Sequence, residues 1–319
     1  MTQRETNPYK FSDSNKRYQT YDYYTKHTFG GKCARIPLDA GFSCPNKDGT
    51  RGSHGCIFCL SGSSAAIGSD LHEQYDTAVE AACRKWNPVG YIPYLQANTN
   101  TYAPPHVLRR IYAEAASLPG AVMLGIATRA DCLDDDVIAE ISAVSEKIPV
   151  TVELGLQSAS DATAERIGRG HTFEEFKEGY RRLRAAGGRI SIGVHIINGL
   201  PGERCEDMFE TAKKVARLAP DQVKIHLLTV LCGTRLEKLY ERGEYVPMER
   251  EEYVNITCDQ IELLPERTVI ARVTGDAPQE VLIAPEWSRR KTEVTNMIDK
   301  ELYRRGTYQG CRCEKTYEA

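Results

Sequence analysis

Hydrophobic and polar positions along this chain alternate between two rhythms. Short apolar runs at 34–40, 91–95, 121–127, 149–156, 189–197 and 222–230 read as strands. Helix-period segments at 77–86, 107–116, 173–186 and 205–218 fall between them, and Asp134, Asp135 and Asp136 form the acidic first turn of another. Six strand-then-helix units in series predict an α/β fold with a parallel sheet and helices outside it. Right-handed crossovers curl such a series, so an incomplete (β/α)6 TIM-like barrel is expected. Beyond about residue 240 the alternation stops. A helix at 250–263, a strand at 269–274 and a helix at 292–303 predict a C-terminal α+β extension. The expected organisation is a polar, aromatic N-terminal segment (1–30), a partial barrel (31–240) and the extension (241–319).

Function in a parallel sheet sits at the C-terminal strand ends, in the loops leading to the helices. The first such loop reads CPNKDGTRGSHGCIFC and carries Cys44, Cys56 and Cys59. Its Gly, Asn and Asp content marks it as irregular structure. Three thiolates facing one point suit a [4Fe–4S] cluster with one iron left open. A zinc ion is the alternative, with His54 or Cys33 as fourth ligand. Structural zinc usually takes two cysteine pairs, however, and Cys56–Cys59 is the single pair here.

Composition changes this picture little. The chain has 319 residues, 41% hydrophobic and 27% charged, as in ordinary globular proteins. No apolar run approaches the roughly 20 residues of a membrane span, and the N-terminus lacks a signal-peptide core. A cytoplasmic protein is expected. Its eleven cysteines then argue for reduced thiols and metal binding over disulfides. Cys33, Cys83, Cys132, Cys205, Cys232 and Cys258 are expected as buried free thiols, and Cys311 and Cys313 as incidental thiols of a polar tail. The net charge of −3 gives no global case for nucleic acid. Basic clusters at Arg181, Arg182, Arg184 and Arg189, at Arg289, Arg290 and Lys291, and at Arg304 and Arg305 read as solvated helix faces, although their arrangement would also suit a polyanion.

The barrel series and cysteine loop together resemble the radical S-adenosylmethionine (SAM) superfamily. The eleven-residue gap between the first two cysteines, with CPN and DGT inside it, is similar to the YhcC-like family, related to the radical SAM domain of the Elongator catalytic subunit. The resemblance runs from about Phe29 to Gln309 and includes RVTGDAP. It implies a [4Fe–4S] cluster on Cys44, Cys56 and Cys59, with SAM chelating the free iron. Electrons from a flavodoxin- or ferredoxin-like donor would cleave SAM to methionine and a 5′-deoxyadenosyl radical. Phe58 matches an aromatic position beside the adenine. Asn98, Thr99, Asn100 and Thr101 occupy the place of a glycine-rich motif that binds the SAM amino group. Gln157 and Arg169 match SAM-contacting residues of the coproporphyrinogen-dehydrogenase branch. Glu153, on the strand face of Gly155 and Gln157, would bind SAM or a cation. His195 replaces an Asp common in that branch, and His226 and Thr229 border the expected adenine edge.

The expected function is radical modification of a substrate the sequence does not name. Elongator kinship suggests a tRNA nucleoside, by analogy alone. A small molecule or protein substrate is the alternative. Two others are a zinc-stabilised binding protein and a non-radical barrel enzyme using Glu153 or His195 as acid or base.

Overall fold

In a computed structural model, describing residues 7–60, 68–275 and 277–314, seven strands form one parallel sheet. They are β1 (Cys33–Leu38), β2 (Gly90–Leu95), β3 (Leu124–Thr128), β4 (Val150–Gln157), β5 (Ile190–Asn198), β6 (Gln222–Leu227) and, after a two-residue β7 (Val230–Leu231), β8 (Val269–Arg272). Each strand pairs with the next of the sheet, so consistent crossovers curl it into a half-barrel. The six-unit series is present. The strand at 269–272 extends it: β8 runs parallel to β6, although the alternation left it outside the series.

The N-terminal segment has more structure than its polar composition predicts. Thr20 caps a helix, α1 (Tyr21–Phe29), accepting from the Tyr23 amide. Thr20 also bridges Ile270 of β8, whose amide donates to the Gln19 carbonyl. Because α1 packs on both β1 and β8, it spans the gap between the edges of the open sheet. The first barrel helix, α2 (Leu71–Lys85), begins six residues before the apolar pattern, because the Asp70 carboxylate caps the His72 and Glu73 amides. The other helices of the series are α3 (Pro105–Ala116), α4 (Asp135–Ser145), α6 (Phe173–Ala185) and α7 (Cys205–Leu218), with a short α5 (Asp161–Arg166) the periodicity does not reveal. Beyond β6 come α8 (Arg235–Glu241), α9 (Arg250–Leu263), β9 (Leu282–Ala284), which pairs with β7, and α10 (Lys291–Arg305).

Strands β3, β4 and β6 are nearly continuous buried runs, as expected for a parallel sheet covered on both faces, and β5 mixes buried with half-buried positions. Ile126, Val152, Leu154, Val194 and Ile225 belong to a core shared with the helices. The expectation of buried cysteines holds for Cys33 and Cys258. It fails for Cys83 and Cys232, which are exposed, and for Cys132 and Cys205, which are half-buried. Cys83 lies on the outer part of α2, and Cys232 follows a two-residue strand, so neither reaches the core. No helix among the described residues is long and apolar enough to cross a membrane.

Candidate functional site

The chain from Cys44 to Cys59 folds back on itself through its own backbone. Arg51 and Gly52 amides donate to the Pro45 carbonyl, Gly55 to Asn46, and Cys59 to Cys56. Two further bonds anchor the loop: the Ile57 amide donates to the Ile167 carbonyl, and the Leu236 amide to the Ile57 carbonyl. Asn46 fastens it from within. Its Nδ2 lies 2.8 Å from the Gly168 carbonyl, 2.7 Å from that of Arg169 and 3.6 Å from Cys56 Sγ.

Two arginines stand beside the buried Cys56. Arg129 forks onto Asp131 at 2.9 and 2.8 Å and donates to the Arg169 carbonyl at 2.8 Å. Arg169 donates through Nε and Nη2 to the Gly155 carbonyl, with Nη1 4.0 Å from Cys56 Sγ. A hydrogen bond from Cys59, helped by Arg169 and Arg129 and opposed by burial, draws the Cys56 thiol down to about 5. The Cys59 thiol is pushed well up, first by that same hydrogen bond and then by burial. Cys56 is therefore the thiolate of the pair at neutral pH, the form that ligates soft metals.

The strand end opposite is shaped to meet this loop. β4 bulges between Gly155 and Gln157, leaving Gln157 in the left-handed region at φ 75°. A Cβ on Gly155 would lie 2.7 Å from Gln157 Nε2 and 3.0 Å from Arg169 Nη2, so glycine is what admits both side chains. Asn98 is also left-handed, at φ 61°, and its Oδ1 accepts from Lys47 Nζ at 2.8 Å. Strained non-glycine residues concentrate at functional sites, and two of the three among the described residues are here.

One cavity of about 1110 Å³ joins these groups. Its lining brings together Cys44, Cys56, Cys59, Phe58, Asn98, Thr99, Gln157, Arg169, Glu153, His195 and His226. Asn100, Thr101 and Thr229 are not part of the lining. The Asn100 amide nitrogen instead clamps the carbonyls of Leu95, Ala97 and Ala127, and the Thr101 hydroxyl bonds that of Thr128. These two residues hold the β2 and β3 ends together rather than facing a ligand. Cys33 and His54 do not gather with the triad. Cys33 starts β1, so the strand alone separates it from the cysteine loop by about 16 Å, and His54 is exposed and outside the lining.

Away from the cysteines the cavity ends on a charged layer carried by the strands. Glu153 of β4 is buried, and its carboxylate accepts from Arg35 of β1, Tyr94 of β2, Lys224 of β6 and, at 2.9 Å, His195 Nε2 of β5. Burial opposes the Glu153 charge, but Arg35, Lys224 and His195 outweigh it and keep the carboxyl ionised. Burial draws Lys224 down to about 7 and His195 to about 4, so His195 is a neutral donor. Gly125 leaves room for this layer: a Cβ there would lie 2.6 Å from the Tyr94 ring. Cys33, Ile92 and Met123 form a small apolar cluster, and Thr151 donates to Met123 Sδ at 3.2 Å.

Sequence reasoning missed Asn46, Arg35, Tyr94 and Lys224. A signal existed for two of them. Arg35 in CARIPL and Lys224 in QVKIHL are charges inside strands otherwise read as buried, and such charges are rarely buried unless paired. The basic surface clusters are largely engaged: Arg182 pairs with Asp135, Arg184 with Asp221, and Arg305 with Glu301 and Asp259.

The donor set can be tested against the cofactors the motif implies. Among the described residues no three His, Cys, Asp or Glu side chains gather as ligands of a single metal ion. A [4Fe–4S] cluster presents separate irons to separate thiolates, so its ligands need not converge on one point. Three cysteines at one end of the cavity, one already a thiolate, fit that group. The arginine, amide and hydroxyl groups beside them fit the charged and polar parts of SAM.

Comparison with known proteins agrees. Residues 48–215 match the radical SAM superfamily and residues 220–304 its C-terminal domain. Protein YtqA of Bacillus subtilis is 43% identical over 96% of both chains. Protein YhcC of Escherichia coli K12 is 33% identical over 86% of this chain and 88% of its own. A tRNA uridine(34) acetyltransferase of Methanocaldococcus jannaschii is 28% identical over 62% of this chain and 35% of its own length. The structure of Methanocaldococcus infernus Elp3 superposes with a TM-score of 0.65 at 20% identity, covering 88% of this chain and 64% of that one.

Proposed function

The chain belongs to the radical SAM superfamily, in its YhcC-like family, and is a radical SAM enzyme; we propose that it holds a [4Fe–4S] cluster on Cys44, Cys56 and Cys59 and binds SAM between that cluster and the ends of β2 and β4. One observation carries this: three cysteines, Arg169 and Gln157, drawn from segments about a hundred residues apart in the chain, line one end of a single cavity. When bound and reduced, the cluster supplies the electron that cleaves SAM and starts radical chemistry.

The residues divide the remaining work. Arg129 and Arg169 favour thiolate at Cys56, and the Asn46 clamp ties the loop to the segment bearing Arg169. Arg169 and Gln157 present a guanidinium and an amide for the carboxylate and ribose of SAM. Asn98 and Thr99 stand where the ammonium is received, and Phe58 is the apolar wall for adenine. The Glu153 layer is too fully engaged to ligate SAM, and its work is to close the cavity. A low-potential flavodoxin or ferredoxin is the reductant. A tRNA nucleoside is the substrate class supported by kinship with the tRNA uridine(34) acetyltransferase, and the surface arginine pairs leave the cavity rim, with Lys32 4.7 Å over Trp86, as its approach.

Anaerobic reconstitution followed by dithionite and SAM tests the reaction. The expected result is a brown protein with four irons per chain and release of 5′-deoxyadenosine. An intact, reduced cluster that leaves SAM uncleaved overturns the proposal. For the substrate, affinity for bulk tRNA should fall steeply as salt rises, and salt-independent binding excludes tRNA.

A further inference from the structure

Of the three cysteines in the loop, Cys56 is the buried one, and Cys44 and Cys59 are half-buried. Its sulfur meets two side-chain nitrogens, Asn46 Nδ2 at 3.6 Å and Arg169 Nη1 at 4.0 Å. The two differ in what else they face. Arg169 lines the cavity, so its charge is open to whatever the cavity holds. Asn46 is 2% exposed and is not part of the lining. Its amide has two hydrogens for three acceptors: the Gly168 carbonyl at 2.8 Å, the Arg169 carbonyl at 2.7 Å and Cys56 Sγ. One hydrogen is therefore shared between a carbonyl and the sulfur, as a three-centre bond.

This aim is held from behind. Gly170, at φ 76°, lies against the amide oxygen, and a Cβ there would be 2.2 Å from Asn46 Oδ1. The backbone is fixed as well, because the Asn46 carbonyl accepts the Gly55 amide at 2.7 Å. Oδ1 itself is shielded from solvent and has no hydrogen-bond partner. A buried acceptor left unpaired is costly and asks for an explanation. The explanation is at the other end of the amide: flipping it would set Oδ1 against two carbonyl oxygens and a sulfur. The nitrogen is thus kept toward Cys56 at the expense of the oxygen.

We propose that Asn46 is a positioning residue for electron transfer, whose N–H, donated to Cys56 Sγ, raises the reduction potential of the cluster. The inference rests on the assignment of the cluster to Cys44, Cys56 and Cys59. Hydrogen bonds to the sulfurs help set the potential of such a group, and bonds behind the ligands tune it. A ligating sulfur becomes more negative when the cluster takes up an electron. A donor fixed beside it therefore stabilises the reduced form more than the oxidised one, and burial leaves that difference little screened. One electron arrives from the flavodoxin- or ferredoxin-like donor, and no proton moves, because the amide keeps its hydrogen. The Arg169 charge is offset once its guanidinium meets a carboxylate in the cavity. Asn46 stands outside the cavity and acts alike with and without SAM.

The test is a potentiometric titration of the reconstituted full-length protein without SAM, read by electron paramagnetic resonance of the reduced cluster. At the potential where the parent is half reduced, Asn46→Ala should show a reduced-to-oxidised ratio about tenfold lower, a shift of about 59 mV for one electron. Asn46→Asp replaces the donor with a negative charge and should fall further. It is measured at pH 8, where Arg129, which donates to the same Arg169 carbonyl, keeps the new carboxyl ionised. Loss of the clamp alone would shift both variants alike. Iron content equal to the parent's is the check on loading, and where one variant fails to load, the midpoint of the other decides. Midpoints equal to the parent's, equal shifts in the two variants, or iron lost from both overturn the proposal. A parent cluster that titrates but leaves SAM uncleaved would overturn the reaction alone, and a parent without iron would overturn the cluster assignment itself.

Discussion

The two ends of the cavity are built in different ways. The cysteine end is made by loops: residues 44–59, 129–131 and 155–170 meet through backbone hydrogen bonds, one asparagine and two arginines. The charged end is made by strands, with a polar side chain from four of the seven donating to Glu153 of a fifth. A loop-built site can change its ligands without disturbing the sheet beneath it. A strand-built one cannot, because its charges are also part of the core and compensate one another there. Under the proposed reading the cysteine end sets the chemistry, and the charged end, whose ion pairs are part of the core, serves stability.

That contrast can be broken by substitution. Cys56→Ala should abolish SAM cleavage and cut bound iron to background, while the apo-protein loses about 1 kcal/mol in urea unfolding. A global loss of structure would mean that the cysteine loop supports the sheet after all. Glu153→Gln should do the reverse. Arg35 and Lys224 would be left buried without their carboxylate, costing about 3–5 kcal/mol. Adding Lys224→Met should recover part of the loss, since the two side chains touch and their effects are not additive. A Glu153→Gln protein as stable as the parent would show that the layer is not a coupled network. Gly125→Ala should be milder, about 1–3 kcal/mol, as its new methyl pushes on the Tyr94 ring. A crystal structure with Tyr94 unmoved would refute that account.

The same division decides what could be read from the sequence. Cys44, Cys56 and Cys59 are legible because a loop site is written in contiguous spacing against a turn-rich background. Strand order is legible because buried runs alternate with helical ones, and β8 was missed as a barrel strand because β7, α8 and the stretch up to residue 249 intervene between β6 and the helix that leads into β8. Glu153 and His195 were found on their strand faces, yet their roles were not, since partners such as Arg35 and Tyr94 come from strands 118 and 59 residues away. Asn100 shows the opposite error. A polar residue in the right loop looks like a ligand-binding group, and whether it faces the cavity or clamps three carbonyls depends on a backbone path that spacing does not record. Asn46 sat in plain view within CPN, but its importance depends on the carbonyls of Gly168 and Arg169, more than 120 residues away.

The smallest effect separates the two ends by pH. Burial lowers Lys224 from 10.5 to about 7 in the fold. A lysine depressed in this way stabilises the fold fully above its unfolded value, and that contribution is lost as pH falls toward 7. Between pH 7 and 9 the unfolded chain holds its lysine proton and the folded protein sheds it. Stability attributable to this residue should therefore rise with pH, by up to about 1.4 kcal/mol per unit. Buried tyrosines such as Tyr112 are shifted the other way and act above pH 10, outside the window. The measurement is the unfolding free energy of the parent minus that of Lys224→Met at pH 7, 8 and 9, and a flat difference would show that the ammonium is retained throughout. Cys56→Ala, at the other end of the cavity, should leave that slope in place.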